Sequence, residues 1–501
     1  TRASPMIPAL CKWNWSADLV AIGPVLHIIG LLMSIMAVAM LLPAGVDLIV
    51  GNPDWGVFTG SSALTLFIGV SLMLSTQSPS ATNLSLRQAF LLTTLSWLTI
   101  ATVAALPFAF SQLDMTVADA FFESMSGVTT TGATVIVGLD NAPPGILLWR
   151  ALLQWLGGIG IIVMALAVLP MLSVGGMQLF QTEAFDTPDK VVPRAAQLAG
   201  GISGIYLAFT AICASALWAA GLPGFDAITH AMATISTGGY STRDDSVGHY
   251  DSALVDWIVF VGMIAGSLPF VYYLRMMRGS LRPIFQDSQV KWFFAIVIIV
   301  VAVISLWNWH VLDFAPAQAL RYAAFNMVSV MTGTGFTTTD YGNWGGFPVT
   351  VVMCLMFVGG CAGSTTCGIK IFRIQVLYAT AQVQIERLLR PHGIFIPYYN
   401  RKPIPETVSE SVMGFFFLYM LCFAAMAAVL ALIGLDFITA VSGAATAISN
   451  VGPGLGPIIG PAGNFDSLPA SAKWLLSFGM LLGRLELFTV LVMLSPSFWR
   501  R

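Results

Sequence analysis

The sequence predicts an all-α, polytopic membrane protein in which four similar units surround a pseudo-fourfold axis, preceded by a two-span hairpin. Of its 501 residues, 57 % are hydrophobic and only 9 % are charged, whereas a soluble domain carries about a quarter charged residues. Apolar runs near the roughly 20 residues needed to cross a bilayer recur along the chain. Four short polar stretches, each rich in Gly, Thr, Ser or Asn, divide these runs at regular intervals.

The leading hairpin has spans at 19–42 and 55–76, and it lacks a polar closing stretch. We therefore interpret residues 1–85 as an accessory unit. The first apolar run is too long for the core of a cleavable signal peptide, so none is expected.

Four repeats are predicted next, at 86–190, 191–285, 286–400 and 401–501. Each contains a first span, a half-helix too short to cross a bilayer, a polar loop and a second span, which gives about ten spans and four re-entrant segments. The predicted first spans are 89–110, 196–221, 292–312 and 411–434. The predicted half-helices are 116–127, 225–235, 317–331 and 437–448. The predicted second spans are 146–170, 253–274, 347–385 and 472–495.

The polar loops read VTTTGATV (128–135), ISTGGYST (235–242), TGTGFTTT (332–339) and SNVGPGLG (449–456). In every repeat an alanine precedes a loop glycine by 12 residues: Ala120 and Gly132, Ala227 and Gly239, Ala323 and Gly335, Ala440 and Gly452. Unpaired backbone groups are costly in hydrocarbon, so four non-helical loops at membrane depth require a shared aqueous axis. The repeat therefore predicts that the loops meet in one ring.

The composition of the loops suits a monovalent cation. Neutral oxygens from backbone carbonyls and hydroxyls can replace the hydration shell of such an ion, and glycine permits the backbone angles that aim carbonyls at one axis. The loops contain no carboxylate, Lys or Arg, which argues against a divalent-cation filter and against an anion pore. One such loop alone would more often be a simple turn, but four at a constant offset favour a filter. The predicted ion-binding residues are Thr130, Thr131, Gly132, Thr237, Gly238, Gly239, Gly333, Thr334, Gly335, Asn450, Val451 and Gly452.

The positions of basic residues predict the orientation of the chain. Lys and Arg concentrate between repeats and at the C-terminus, which places both termini in the cytoplasm by the positive-inside rule. These residues are Arg87, Lys190, Arg194, Arg275, Arg278, Arg282, Lys291, Arg387, Arg390, Arg401, Lys402, Arg500 and Arg501. Acids accumulate on the opposite side, where they would either attract cations or simply solubilise short loops. They are Asp47, Asp54, Asp114, Asp140, Asp244, Asp245, Asp251 and Asp340.

Together, the four loops, the repeat and the leading hairpin resemble the Trk-type potassium uptake proteins of the Trk/Ktr/HKT superfamily. The superfamily pattern covers about 89–495, and its signature glycines correspond to Gly132, Gly239, Gly335 and Gly452. Sodium-selective members of the superfamily carry a serine at the first position, so Gly132 favours potassium.

Two further features are predicted to control permeation. The second span of the third repeat is broken by GGCAGSTTCG at 359–368, which should line the pathway below the filter. The second feature is Arg484, because a mid-span arginine normally faces a cavity or a partner. The resemblance implies a pore-obstructing loop and a pore-facing arginine at these places. The alternatives are a kinked, packed helix and a local pairing of Arg484 with Glu486 or another acid. The predicted gate residues are Gly359, Gly360, Gly363, Ser364, Thr365, Thr366, Gly368, Lys370 and Arg484.

Some other residues favour structural roles. Glu123, His230 and Asn326 each lie three residues after the aligned alanine, and we expect them to brace the loops from behind rather than to bind ions. Gly443 occupies this place in the fourth repeat. The run GGIG at 157–160 indicates close helix packing rather than a phosphate site.

The resemblance implies potassium uptake across a bacterial inner membrane by a homodimer, with a cytosolic nucleotide-binding regulatory ring (TrkA-like) as partner. Potassium would be the transported ion, and we expect no organic cofactor and no nucleic acid. An alternative is a secondary transporter that couples cation entry to H⁺ or Na⁺, for which Glu123 and Glu486 are the candidate titrating acids. An intramembrane enzyme or sensor scaffold is disfavoured, since no ligand cluster or nucleophile constellation lies in a span.

Overall fold

The computed structural model describes residues 22–76, 85–167, 191–280 and 282–499. Within these ranges the chain is helical except for loops and one small antiparallel hairpin. Lys190, Arg500 and Arg501, which entered the orientation argument, lie outside the described residues. The predicted all-α membrane fold with four repeats is confirmed.

The N-terminal hairpin comprises helices Gly23–Val50 and Trp55–Ser75. They pack closely because Gly30 and Gly69 face each other, and a Cβ on either would come within 3.0 Å of the other's carbonyl oxygen. Small residues at such a contact are typical of membrane helix pairs. The hydroxyl of Ser62 adds a hydrogen bond of 2.7 Å to the carbonyl of Ala37.

Two acids of this hairpin contradict their predicted place in a vestibule open to water. Asp47 and Asp54 are only 0 % and 2 % exposed. The Asp47 carboxylate accepts a 2.7 Å hydrogen bond from the backbone N–H of Gly145, at the start of the first repeat's second span. Asp47 therefore joins the hairpin to the repeats instead of attracting ions.

The four repeats follow in the predicted order. The first spans are Leu86–Ala104 with Leu106–Phe110, Val191–Ala219, Ser288–His310 and Glu406–Ile433. The half-helices are Val117–Val128, Gly224–Ile235, Pro316–Met331 and Phe437–Ser449. The second spans are Pro144–Ala167, Ala253–Ser267 with Phe270–Met277, Gly346–Leu355 with Ile371–Leu389, and Ala470–Arg484 with Leu487–Leu494.

Short elements connect these helices. They are the 3₁₀ turns Leu139–Asn141, Ser246–Tyr250 and Tyr341–Asn343, the helices Arg282–Gln286, Gly456–Ile459 and Pro496–Trp499, and the paired strands Tyr398–Tyr399 and Lys402–Pro403. The strands lie between the third and fourth repeats, in the segment that carries Arg401 and Lys402.

Three of the four second spans are broken, whereas the sequence predicted a break only in the third repeat. The second repeat's span bends by 94° and the fourth repeat's by 115°. Pro269 explains the first bend, since proline cannot donate the helical hydrogen bond. The fourth repeat breaks at Glu486, whose φ of 60° is left-handed, and no proline marks that place.

The number of spans depends on how these bends are counted. Seven helices among the described residues are long and apolar enough to cross a membrane, or nine if each bent pair is one span. The predicted ten include the third repeat's second span, whose two helices are separated by residues 356–370. That total remains a prediction.

The half-helices begin with local caps and pack through their aligned alanines. Thr116 and Asp436 accept hydrogen bonds from the backbone N–H of Asp119 and Thr439, as N-cap residues do, and Pro316 opens the third half-helix. The four aligned alanines are at most 1 % exposed: Ala120, Ala227, Ala323 and Ala440. The repeated alanine therefore marks the buried face of each half-helix.

Candidate functional site

Each half-helix ends in the same hydrogen-bonded motif as it enters its polar loop. The N–H of the residue before the signature glycine donates to a carbonyl five residues earlier, at 2.8 to 3.1 Å. The four pairs are Thr131 to Ser126, Gly238 to Ala233, Thr334 to Ser329 and Val451 to Thr446. This is the Schellman arrangement of helix C-termini. It turns the carbonyl end of every half-helix, which carries partial negative charge, toward the loops.

The motif fixes two left-handed residues in every loop. The signature glycines have φ between 77° and 108°. The residue two places earlier is also left-handed: Thr130 at 53°, Thr237 at 50°, Gly333 at 68° and Asn450 at 54°. A β-branched threonine rarely adopts this conformation, and such strain clusters at functional sites. Sequence reasoning assigned the special backbone to the signature glycines alone.

The four loops close on one another in a cycle. A Cβ on each signature glycine would come within 3.0 Å of the carbonyl oxygen of the residue that precedes the next signature glycine. The contacts run from Gly132 to Gly238, Gly239 to Thr334, Gly335 to Val451 and Gly452 to Thr131. A side chain at any of these positions would strike backbone, so glycine is required. Eight of the twelve predicted ion-binding residues thus make the backbone contacts that close the four loops into one ring.

The ring is buried from the sides and open at the end away from loop 359–368, which we call its outer end. Thr130, Thr131, Thr237, Thr334 and Asn450 are 0 % exposed. A cavity of about 70 Å³ lies above the ring and is lined by Gly132, Gly239 and Gly335, by Pro453 and by residues of the outer loops. The cavity forms a mouth that leaves space for a small ion next to the ring.

Charged residues at this mouth are mostly paired. Arg243 contacts Asp226 at 3.0 Å and Asp140 at 3.3 Å, and hydrogen bonding to Asp226 raises the pKa of Arg243. Asp244 accepts hydrogen bonds from the N–H groups of Gly138 and Leu139. The predicted acids on this side therefore also organise the outer loops.

The three predicted braces contact the loops as expected. Glu123 accepts hydrogen bonds from the Thr134 hydroxyl and the Val135 N–H. His230 Nε2 lies 2.9 Å from the Ser241 hydroxyl. The amide of Asn326 donates to Thr338 at 2.8 Å and accepts from its N–H at 3.2 Å.

The fourth repeat has no polar brace at this place. A Cβ on Gly443 would lie 3.3 Å from the side chain of Ile459. The neighbouring Ser442 braces the fourth loop instead, and its hydroxyl accepts a 2.9 Å hydrogen bond from the backbone N–H of Leu455. Asn450 instead donates hydrogen bonds of 2.9 Å to Thr131 in the first loop and to the carbonyl of Met480. This bond joins the fourth loop to the first.

Sequence reasoning missed two residues that hold the ring. Arg150 is 1 % exposed, and its guanidinium lies 2.7 Å from the Glu123 carboxylate. It also donates a hydrogen bond to the carbonyl of Ser241 and packs on the Tyr240 ring. Gln154 donates to the carbonyl of Gly238 at 2.6 Å and accepts from the Tyr240 N–H. The two are four residues apart on one helix face. Their polarity inside an apolar span was the available signal.

Loop 359–368 lies directly beneath the ring. The hydroxyl of Thr365 is 3.1 Å from that of Thr237, and Cys367 Sγ is 4.0 Å from the Thr130 hydroxyl. The backbone of the loop is satisfied by the broken second repeat, where the carbonyls of Gly266 and Ser267 accept from Thr365 and Cys361. Irregular backbone at this depth is thus held by protein, as the membrane requires.

Residues of loop 359–368 differ in what they do. Gly363 and Gly368 are left-handed, at φ 75° and 70°. A Cβ on Gly359 or Gly360 would collide with Cys367 or Thr366. Ser364 bonds the Thr366 hydroxyl at 2.7 Å, and Lys370 donates to the carbonyl of Thr366. These contacts make a compact plug rather than a continuous helix, so the kinked-helix alternative is wrong.

Arg484 is bound to this plug. Its guanidinium donates to the carbonyl of Thr365 at 3.2 Å, to Cys367 Sγ, and to the carbonyl of Gly157 at 3.0 Å. The expected alternative, a pairing with Glu486, is wrong because Glu486 pairs with Arg373. In the described part of the chain no carboxylate lies within ion-pair distance of Arg484.

A second cavity, of about 30 Å³, lies under the plug. It is lined by Lys370, Arg373 and Arg484 together with the single acid Glu486. Three cations against one anion give the space net positive charge, which opposes the passage of a cation. Arg373 was not singled out from the sequence, although it lies three residues after Lys370 in the same segment.

Comparison with known proteins gives a consistent result. Residues 56–501 match the model of the TrkH family, described as cation transport protein. This range begins in the second helix of the hairpin and covers all four repeats, whereas the resemblance seen in the sequence covered about 89–495.

Individual relatives are similar along almost their whole length. The chain is 43 % identical to the Trk system potassium uptake protein TrkI of Halomonas elongata, over 96 % of this chain and 97 % of that protein. It is 38 % identical to TrkH of Escherichia coli, over 95 % and 98 %. The crystal structure of the potassium transporter TrkH from Vibrio parahaemolyticus matches with a TM-score of 0.89 and 35 % identity, covering 96 % of this chain and 100 % of that one.

Proposed function

Because the chain belongs to the TrkH family of cation transport proteins, we propose that it carries potassium into the cell through the ring of four loops. The observation that carries this proposal is the cyclic contact between the signature glycines and the neighbouring carbonyls. The relatives named as potassium uptake proteins, and the potassium transporter of similar fold, support the choice of ion.

The proposed filter works through neutral oxygens and helix ends. A potassium ion would exchange water for backbone carbonyls and hydroxyls of the four loops. Four half-helix C-termini directed at this place would stabilise its charge without a carboxylate. The loop threonines are buried. An ion inside the ring would therefore meet few ligands other than the loop oxygens, which supports selectivity for potassium.

Loop 359–368 and Arg484 are proposed as the gate. The plug contacts the first two polar loops from below, and Arg484 ties it to the first repeat through Gly157. A positive charge under the ring raises the energy of a cation that leaves it. Conduction would therefore require the plug and the arginine to move together.

Uncoupled conduction is favoured over symport with H⁺ or Na⁺. Both acids that would have to titrate are held in ion pairs, Glu123 with Arg150 and Glu486 with Arg373. Both acids therefore already have a structural role in the described part of the chain.

The proposed setting is a bacterial inner membrane with both termini in the cytoplasm. Exposed basic residues at the inner ends of the repeats support this orientation, among them Arg278, Lys291, Arg390 and Arg401. We further propose that the protein works as a homodimer and that a cytosolic nucleotide-binding ring (TrkA-like) docks on this basic face. Co-purification with such a ring, reversed by high salt, tests the docking.

Flux of radioactive rubidium into liposomes tests the proposed function. The purified protein should take up rubidium, and potassium should compete better than sodium. Gly132→Ser should weaken this preference, because a side chain there meets the carbonyl of Gly238. Gly138→Ser is the matched control: Gly138 is also left-handed, at φ 76°, but no atom lies within 4 Å of its Cβ position. Absence of flux both with and without the regulatory ring would defeat the proposal.

A further inference from the structure

A large apolar cavity opens on the side of the protein between the hairpin and the first repeat. Its volume is about 500 Å³, within the ~300–1,000 Å³ typical of ligand sites. The walls come from the helices Gly23–Val50, Leu86–Ala104 and Pro144–Ala167, all of which are long and apolar enough to cross the membrane. Its rim includes Ile35, which is 50 % exposed. The cavity is therefore open at the depth of the lipid chains.

The described walls offer no free hydroxyl to a polar ligand. Three hydroxyls line the cavity, and each donates back into its own helix: Thr93 to Ala89 at 2.8 Å, Ser96 to Thr93 at 3.1 Å and Ser203 to Ala199 at 2.8 Å. Apolar cavities without polar partners do not hold ordered water. The lining therefore favours hydrocarbon, which the surrounding bilayer supplies.

We propose that this cavity is a binding site for one acyl chain of a membrane phospholipid. The chain enters past Ile35 and lies along Leu92, Ile100 and Met164. Filling the space restores dispersion contacts that an empty cavity would lose. The headgroup stays at the interface, so the site selects by chain rather than by headgroup.

The inner end of the site reaches the residues that hold Arg484. Trp97 and Gly157 both line the cavity. The guanidinium carbon of Arg484 lies 5.6 Å from the centre of the Trp97 ring, within cation–π range. The carbonyl of Gly157 accepts a 3.0 Å hydrogen bond from Arg484. A bound chain supports these two contacts from behind and holds the arginine under the ring.

Photo-labelling tests the site directly. The full chain is placed in vesicles of phosphatidylethanolamine and phosphatidylglycerol that contain a phospholipid with a diazirine midway along one acyl chain. Adducts are expected on peptides that contain Trp97 and Met164. Gly160→Leu should reduce them several-fold, because Gly160 lines the cavity and nothing lies within 4 Å of its Cβ position. Gly60→Leu is the control, at another open helical glycine that does not line the cavity.

A second measurement does not depend on the filling variant. Phospholipids brominated on the chain should quench Trp97, seen as a fluorescence difference between the wild type and Trp97→Phe. Equal labelling of Gly160→Leu and the wild type would overturn the proposal. So would labelling confined to the outer face of the hairpin, since a segment of this chain or a second copy would then fill the cavity.

Rubidium flux tests the link to the gate, and this part rests on the proposed role of Arg484. Flux of the wild type should change with acyl-chain unsaturation, whereas flux of Gly160→Leu should not, because leucine replaces the chain. If labelling occurs but flux of the wild type does not depend on acyl-chain unsaturation, the link to the gate is wrong and the binding site stands. Labelling needs no transport, so failure of the proposed function would leave that readout intact.

Discussion

The ring of polar loops and the layer immediately beneath it obey different symmetries. In the ring, all four repeats share the helix-end hydrogen bonds, the two left-handed residues and the contact with the next loop. Beneath it, the first repeat continues as the helix Pro144–Ala167 while the other three second spans are broken. The repeated sequence pattern thus forms a regular ring of loops, and the second spans beneath that ring differ between repeats.

The ring and the layer beneath it meet at equivalent residues of three second spans. Gly157, Gly266 and Gly483 each pack against a carbonyl near the end of their own half-helix, where a Cβ would come within 3.0 Å. The next residue is Gly158 in the first repeat and Ser267 in the second, but Arg484 in the fourth. This close contact with backbone leaves no room for a side chain in these three repeats. Side chains one residue further on are free to differ, and this allows a gate.

The largest expected effect is loss of transport when the ring is broken. Gly239→Ala should reduce rubidium flux to background, because the Cβ would meet the carbonyl of Thr334 at the closest of the four approaches, and the backbone is left-handed. Gly221→Ala controls for conformational strain, since Gly221 has φ 100° but no neighbour within 4 Å. Gly452→Ala, with a 2.9 Å approach, should be milder. Normal flux through folded Gly239→Ala protein would show that the ring is not the pathway.

The second expected effect is a gain of flux when the layer beneath is changed. Arg484→Ala removes the charge and the ties to Thr365, Cys367 and Gly157, so rubidium flux should rise several-fold while the preference for potassium over sodium is kept. Arg278→Ala, which removes an exposed charge from the proposed docking face, should leave flux unchanged when no regulatory ring is present. Unchanged or lower flux in well-folded Arg484→Ala protein would defeat the gating role.

Part of this division could be predicted from particular residues. The constant interval from Ala120 to Gly132 and its three counterparts predicted the ring, because symmetric packing leaves a periodic trace. Pro269 was a readable signal for the second repeat's bend and was missed. The bend at Glu486 has no local signal, since it depends on contacts with distant residues such as Arg373. Tertiary partners of Arg484 were equally beyond reach of sequence spacing.

The third prediction concerns the charged brace of the first repeat. Glu123→Gln leaves Arg150 buried without its anion, and breaking a buried ion pair costs about 3–5 kcal/mol. Thermal unfolding in detergent should show this loss of stability. The preference for potassium should also fall, because glutamine keeps only one acceptor oxygen where Glu123 uses one for Arg150 and the other for Val135. The exposed pair of Asp140 and Arg243 provides the control, since Asp140→Asn should change stability little. Equal losses in the two variants would contradict the assigned role of the brace.

The smallest expected effect is at the neutral brace of the third repeat. Asn326→Ala leaves the N–H of Thr338 without its acceptor, and an unsatisfied buried donor costs about 1–3 kcal/mol. Potassium preference should weaken less than in Glu123→Gln, because this change leaves no buried charge unpaired. Gln318→Ala removes only an exposed hydrogen bond to Tyr322 and serves as the control for thermal unfolding. A loss of potassium preference as large as that of Glu123→Gln would mean that the ring depends equally on each brace. The fourth repeat argues against such equality, because its loop is braced by the short neutral side chain of Ser442 and no charged residue occupies that place.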